Sequence, residues 1–371
     1  MDRVLFVDNT LLSGLVRCST QAAVRHILHR VPVSSTSFEK PFSSALAAGF
    51  ALHRALAALL GGESEEKQES PFQEYEAVGG AELLSEDIRS LDSMRFTWAS
   101  WKEVYLPRFF GERGFFSIPQ VPQFSPDPVP LPPAPILEKP ISAELCRMGL
   151  SGFSRWATEE PIVVRFVGLL DALVQERGSG QFGILDHKIT GSNLSPYYEN
   201  SFLNSSQLKG YLWLASKQEG AFPSSLFSAW IHAIQLKRRP SGVRKCKNHG
   251  LSTSECAPLH VQSRILGPFS YSPLELEDWR LQAIRLVSRY IGIAHDMGLS
   301  LDQLTQPAPF SVPSSIKEVQ TTGQFGYRIC SSCEYSGWCR RGRAPEELER
   351  TTQVSLWTPQ IAVNADKRAE E

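Results

Sequence analysis

The 371-residue sequence has no apolar run long enough to cross a membrane. Its start, Met1-Asp2-Arg3-Val4-Leu5-Phe6-Val7-Asp8, is too short and too acidic for a secretory signal. A cytoplasmic, reducing setting is therefore the expectation. Neither charge is in excess: 38 basic and 39 acidic residues leave a net charge of −1, so no global basic field marks a nucleic-acid binder. Any such contact must be local. Lys237, Arg238, Arg239, Arg244, Lys245 and Lys247 form one basic cluster, and Arg340, Arg341 and Arg343 another. Each suits a solvated loop as well as a phosphate track. A helicase-type phosphate loop is missing, which excludes a built-in motor of that kind. No internal repeat is evident. Seven cysteines, an odd number, do not suit a disulfide framework in a reducing compartment, where clustered thiols are metal ligands.

What is present reads as an ordinary soluble globular composition, 42% hydrophobic and 21% charged, with enough length for one large domain or two modest ones. Apolar spacing predicts a helix over about 10–30 and an Ala/Leu-rich helix over about 42–61. The stretch Glu63 to Glu74 is polar and acidic and is expected to be exposed. A third helix is expected over about 80–106, with Trp98, Trp101 and Tyr105 on one core-facing stripe and Pro107 ending it. From 119 to 140 the chain is proline-rich and reads as an extended connector over the surface. A strand follows at Ile162–Gly168, with Leu170–Gln175 as its continuation or partner, and a further strand at Phe182–Ile189 after the turn Gly178-Ser179-Gly180. A helix over about 205–216, a buried strand over Phe227–Lys237 and a long amphipathic helix over about 273–297 complete the pattern. The expected organisation is an N-terminal helical part (1–62), a helical insertion (63–118), a linker (119–140), a core with a cysteine cluster (141–345) and a tail (346–371).

Asp171 and Asp186 fall on consecutive strands joined by a glycine turn, which can set both at one end of a sheet. Lys188 lies two residues past Asp186, so period-2 alternation puts it on the same face. An acidic-x-Lys tripeptide is weak evidence alone. Here, though, Asp186 interrupts the apolar run Phe-Gly-Ile-Leu, and a carboxylate among buried residues is costly unless a cation pairs it. Gln207 and Tyr211 are four apart on a helix and share a face. His53 stands in the Ala/Leu helix, where a lone histidine is more often a satisfied core residue than a ligand.

In chain order, Gly49-x-x-x-His53, Gly168-x-x-Asp171, Asp186-x-Lys188 and Gln207-x-x-x-Tyr211 resemble the motifs of the PD-(D/E)xK nuclease superfamily, in its RecB-like branch. Glu159 and Glu160 resemble the acidic lead-in of many members. The departures are His187, where an aromatic or aliphatic residue is usual, and Ile189 placed before Thr190. The resemblance implies a restriction-endonuclease-like α/β core, a central mixed sheet flanked by helices. It implies a metal-dependent DNA nuclease, an exonuclease on single-stranded or end-processed DNA. His53, Asp171, Asp186 and the His187 carbonyl would hold Mg²⁺ or Mn²⁺. Lys188 would position or activate water, and Gln207 and Tyr211 would orient Lys188 or a phosphate. The rival is a non-catalytic DNA-binding or scaffolding subunit. A helicase or another DNA-processing protein is a further possible partner.

Cys330-Ser-Ser-Cys333-Glu-Tyr335-Ser-Gly-Trp-Cys339 places three thiols within a short span, and Cys18 is the candidate fourth. This pattern is similar to the iron–sulfur subgroup of RecB-like nucleases, which includes the AddB nuclease domain and CRISPR-associated exonucleases. The resemblance implies a 4Fe–4S cluster stapling the two ends of the nuclease domain, with zinc as the competitor. Cys246, His249, Cys256 and His260 could form a separate zinc site or an irregular loop.

Overall fold

The computed structural model describes residues 3–18, 22, 30–32, 44–77, 87–123, 131–218, 222–223, 226, 228–238, 259–305 and 348–350. Strand β1 (Val4–Val7) runs into helix α1 (Asn9–Arg17), capped by Asp8, whose Oδ1 accepts from the Leu11 backbone N–H at 2.8 Å. β2 (Arg30–Pro32) precedes four helices, α2 (Ser44–Leu60), α3 (Glu65–Ala77), α4 (Leu91–Val104) and the short α5 (Leu106–Phe109). Strands β3 (Phe116–Ser117), β4 (Gln120–Gln123), β5 (Leu131–Pro135), β6 (Leu137–Met148), β7 (Ile162–Glu176) and β8 (Phe182–Thr190) follow. Helices α6 (Pro196–Asn200) and α7 (Ser206–Ser216) lead to β9 (Ser228–Arg238) and β10 (Leu259–Ser270). The long α8 (Pro273–Asp296), then α9 (Leu301–Thr305) and β11 (Leu348–Arg350) complete the order.

β7 organises the seven-stranded mixed sheet. Along one edge it pairs antiparallel with β6 and then β3. Along the other it runs parallel to β1 over Val163–Phe166 and antiparallel to β8 over Ala172–Gln175. Among the described strands, none pairs with that second edge between Phe166 and Ala172. Beyond β8 the sheet continues through parallel β9 to antiparallel β10. Two small pairs, β4–β5 and β2–β11, lie outside it.

Both faces of the sheet are covered, as a buried sheet requires. On β9, Ile231 and Ala233 join the core built with α1, α7 and α8, while Ile234 joins the core of α2, α3 and α4. The alternation along one strand thus assigns each helical layer its face. α8 starts as its sequence predicts: Ser272 and Glu275 form a reciprocal capping box with Pro273 in the first turn.

Three expectations change. The first helix stops at Arg17, because Cys18 is extended and donates back to the Gly14 carbonyl at 2.8 Å; β2 begins at Arg30, where the span expected to be helical ends. The acidic stretch after Gly62 is not wholly exposed. It forms α3, which buries Pro71, Phe72 and Tyr75 on one face. The proline-rich segment is extended but is not a free connector. Its described part forms β4, β5 and the start of β6, with Ile136 buried. Proline is tolerated there because β6 is an edge strand, hydrogen-bonded only to β7 among the described strands.

Candidate active site

The site forms where β7 lacks a partner on its second edge. Gly168-x-x-Asp171 occupies that gap. A Cβ on Gly168 would meet the Tyr211 ring at 2.8 Å and Leu214 at 3.0 Å, so the glycine lets α7 lie against β7. Pairing of β7 with β8 ends at Ala172–Leu185, one residue short of Asp171 and Asp186. The two carboxylates therefore sit where the strands part. The His187 backbone N–H crosses the opening and donates to Asp171 Oδ2 at 2.6 Å.

β6 supplies a residue from the other edge of β7. Leu137 registers with Ala172 and Lys139 with Leu170, which sets Glu138 opposite Asp171. Glu138 has φ 45°, in the left-handed region that a residue with a Cβ rarely adopts. Such strain persists where surrounding structure imposes it, and it concentrates at functional sites. His53 approaches from α2, with Nδ1 at 3.5 Å from Asp171 Oδ2 and 3.8 Å from Glu138 Oε1. Potential ligand atoms of His53, Glu138 and Asp171 all lie within 4.8 Å of one another. Glu138 Oε1 is buried without a hydrogen-bond partner among the described residues. An imidazole with two carboxylates, one bearing an orphaned oxygen, fits a divalent cation.

Beside this triad, Lys188 Nζ is 2.6 Å from Asp186 Oδ2. The same ammonium donates to Gln207 Oε1 at 3.1 Å, and Gln207 Nε2 donates to Tyr211 Oη at 2.9 Å. The α7 pair thus reaches the lysine through one hydrogen-bonded chain. Ser205 caps α7 by accepting from the Leu208 N–H, which fixes the helix start one residue before this pair begins.

Burial and charge work against each other here. Burial opposes ionisation of Asp171, but His53 beside it holds the carboxyl well below the usual range. Burial, reinforced by the charge of Asp171, pushes Glu138 up to about 7. Burial also raises Asp186, although Lys188 pulls the other way. Burial disfavours the Lys188 charge, and the attraction of Asp186 and Asp171 outweighs it and raises the lysine. His53 is raised likewise, because Asp171 more than offsets its burial. Burial lowers His187 to about 3. Two buried carboxylates side by side, one of them driven toward its neutral form, are what a bound cation would relieve.

The structure brings together His53, Asp171, Asp186, His187, Lys188, Gln207 and Tyr211. Glu138 is the residue that sequence reasoning missed, hidden in the proline-rich segment. The buried alternation Ile141, Ala143, Leu145, traced backward, was the signal that extends β6 to it. The acidic lead-in falls elsewhere: Glu159 and Glu160 are exposed, and Glu159 pairs with Arg3 at 2.6 Å. Gly49 meets no steric demand, since nothing lies within 4 Å of a Cβ built there. Cys18 is half-buried at the end of α1, and Cys330, Cys333 and Cys339 lie outside the described residues. So do Cys246, His249 and Cys256, while His260 is buried on β10. In the basic clusters, Lys237 donates to Asn193 Oδ1 at 2.9 Å. No helix among the described residues is long and apolar enough to cross a membrane.

A mixed sheet that parts around two buried aspartates and a lysine, beside an imidazole–carboxylate triad, makes a site that could hold a divalent cation. The family model of the PD-(D/E)XK nuclease superfamily matches residues 10–340, and the chain belongs to that superfamily, whose members are generally metal-dependent nucleases. No curated protein matches the chain.

Proposed function

We propose that this protein is a metal-dependent deoxyribonuclease. The observation that carries the reading is Lys188, held between Asp186 and Gln207 beside the His53–Glu138–Asp171 triad. His53, Glu138 and Asp171 would hold Mg²⁺ or Mn²⁺, with Asp186 and the His187 carbonyl completing the ligand set. When bound, such a cation lowers the pKa of a coordinated water and neutralises charge building on the phosphate. Lys188 keeps its ammonium at the mouth of the site, its side chain 30% exposed, where it can orient the attacking water or meet a phosphate oxygen. Gln207 fixes that ammonium by accepting one of its hydrogens, and Tyr211 fixes the amide. The test is cleavage of single- and double-stranded DNA with Mg²⁺ or Mn²⁺. Asp186→Ala or Lys188→Ala cleaving as well as the parent would remove the assignment. The non-catalytic alternative predicts DNA binding that ignores the metal and yields no products.

The likeness to RecB-like exonucleases supports action from DNA ends, with or without a helicase partner. End-labelled single strands would then give a ladder from one terminus rather than internal cuts. Cys18, Cys330, Cys333 and Cys339 form a thiol set suited to a 4Fe–4S cluster, with zinc as the competitor. Pairing of β2 with β11 supports a staple, since β2 follows Cys18 and β11 follows Cys339 closely in sequence. A colourless, iron-free protein carrying stoichiometric zinc after anaerobic purification would overturn the cluster.

A further inference from the structure

Behind the triad lies a second buried polar chain that the proposed chemistry does not use. His187 and His232 are register partners across the parallel β8–β9 pair. Their rings meet edge to face at 4.9 Å, with Nδ1 to Nδ1 at 2.8 Å. The Trp101 indole of α4 donates to His232 Nε2 at 3.0 Å. Ser263 Oγ on β10 lies 2.9 Å from the same nitrogen and 3.0 Å from the Ala233 carbonyl. All four side chains are buried.

We propose that Trp101, His232 and His187 form a relay of fixed direction that positions Asp171 through the His187 backbone N–H. The role rests on the metal-site reading above; the direction follows from donor chemistry. An indole N–H can only donate, so His232 Nε2 accepts from Trp101 and its proton sits on Nδ1. Only one proton fits between two nitrogens at 2.8 Å, so His187 Nδ1 accepts it and His187 carries its own proton on Nε2. In the reverse arrangement, the Trp101 and His232 N–H groups would both aim at Ser263 Oγ. That would oppose two N–H groups at 3.0 Å and leave Trp101 the longer contact, 3.3 Å. The hydroxyl of Ser263 has an outlet in the Ala233 carbonyl and need not compete.

The consequence runs through the backbone. The relay holds the His187 ring, and the His187 peptide N–H holds Asp171 Oδ2 at 2.6 Å. A candidate ligand carboxylate is thus braced from α4 through two histidines. Fully satisfied buried chains of this kind lock geometry, and supporting groups around metal ligands typically tune affinity by about 10–100-fold. His232 and Trp101 are positioning residues on this view. The relay also explains a histidine at the centre of the Asp-x-Lys motif.

The full-length protein tests this with two readouts. Calorimetric Mn²⁺ titration should show His232→Leu binding about tenfold more weakly than wild type. His232→Gln, whose amide offers one acceptor and one donor, should recover most of that loss. Nitrogen-15 NMR of the imidazoles should place the His187 proton on Nε2. Unchanged Mn²⁺ affinity in folded His232→Leu, or a His187 proton on Nδ1, overturns the proposal. If His232→Leu does not fold, Trp101→Phe removes the donor while keeping an aromatic ring in the core, and its Mn²⁺ affinity decides by the same criterion. A wild-type chain that binds no Mn²⁺ overturns the metal reading alone, and the tautomer then still supports or overturns the relay.

Discussion

Among the described residues, three aspartates are buried in two regions, and the regions treat the charge differently. At the start of α1, Asp8 is 3% exposed and is held by backbone N–H groups, foremost that of Leu11. Burial raises it to about 6. Where β7 and β8 part, Asp171 and Asp186 are 6% and 1% exposed, yet the His53 imidazole approaches the first and the Lys188 ammonium the second. Asp171 is held ionised while its neighbour Glu138 is driven upward, and Glu138 keeps an orphaned oxygen. Backbone donors suffice for a carboxylate that shapes a chain end. A carboxylate kept charged among other carboxylates and cations is arranged for chemistry.

The strongest way to break this contrast is Lys188→Ala. If the β8 carboxylates serve chemistry, cleavage at saturating Mn²⁺ should fall about 10³-fold. Thermal stability should change little, since the lysine side chain is 30% exposed and its loss leaves Asp186 free to protonate. A large drop in melting temperature with cleavage intact would place Lys188 with structural pairs instead. Glu138→Ala is next. Removing one candidate ligand should weaken Mn²⁺ binding on the order of 10²-fold. It should also relieve the strained backbone at φ 45° only slightly, because alanine keeps the Cβ. Glu138→Gly separates the two effects: stability should rise by about 1 kcal/mol while the Mn²⁺ defect remains. Calorimetry and denaturant unfolding read these independently.

Gly168→Ala probes the gap itself. The added methyl meets the buried Tyr211 ring at 2.8 Å, so α7 must shift. Overpacking of this sort costs about 1–3 kcal/mol, measured as a lowered urea midpoint with unchanged slope. The Gln207–Lys188 hydrogen bond should lengthen with it, reducing turnover in the folded fraction. A stability loss with full turnover would show that the α7 pair does not orient the lysine.

These pairings were unequally visible in the amino-acid order. Asp171, Asp186 and Lys188 were legible because strand period and a glycine turn constrain where such residues point. Gln207 and Tyr211 were legible as one helix face, and the long α8 announced itself through its amphipathic spacing. Glu138 was not, because its role depends on register with Asp171 across β6 and β7, and proline-rich composition masks the strand. His232 reads locally as one polar residue in a buried strand. Its partners are a tryptophan and a histidine 131 and 45 residues away in sequence, beyond any local pattern. The buried face of helix α3 was missed because its buried side chains are few among many charges.

Asp8 gives the finest test, since it should behave oppositely to its β7 and β8 counterparts. A folded value near 6, against 3.8 as the ordinary value, means that the folded chain holds the proton longer. Its contribution to stability is full below about pH 4 and is lost as pH rises to about 6. Asp8→Asn keeps a side-chain oxygen for the Leu11 N–H and removes the buried charge. The shift sets an upper bound of about 3 kcal/mol on the gain, and the lost attraction of a carboxylate for the helix N-terminus offsets part of it. A net rise of about 1 kcal/mol at pH 8 is expected, with a flatter stability profile between pH 4 and 6 and unchanged cleavage. Asp8→Ala, which also removes the cap, should instead lose about 1 kcal/mol relative to Asp8→Asn. If Asp8→Asn lowered Mn²⁺ affinity, the start of α1 would belong to the catalytic region, and the division between the two kinds of buried aspartate would fail.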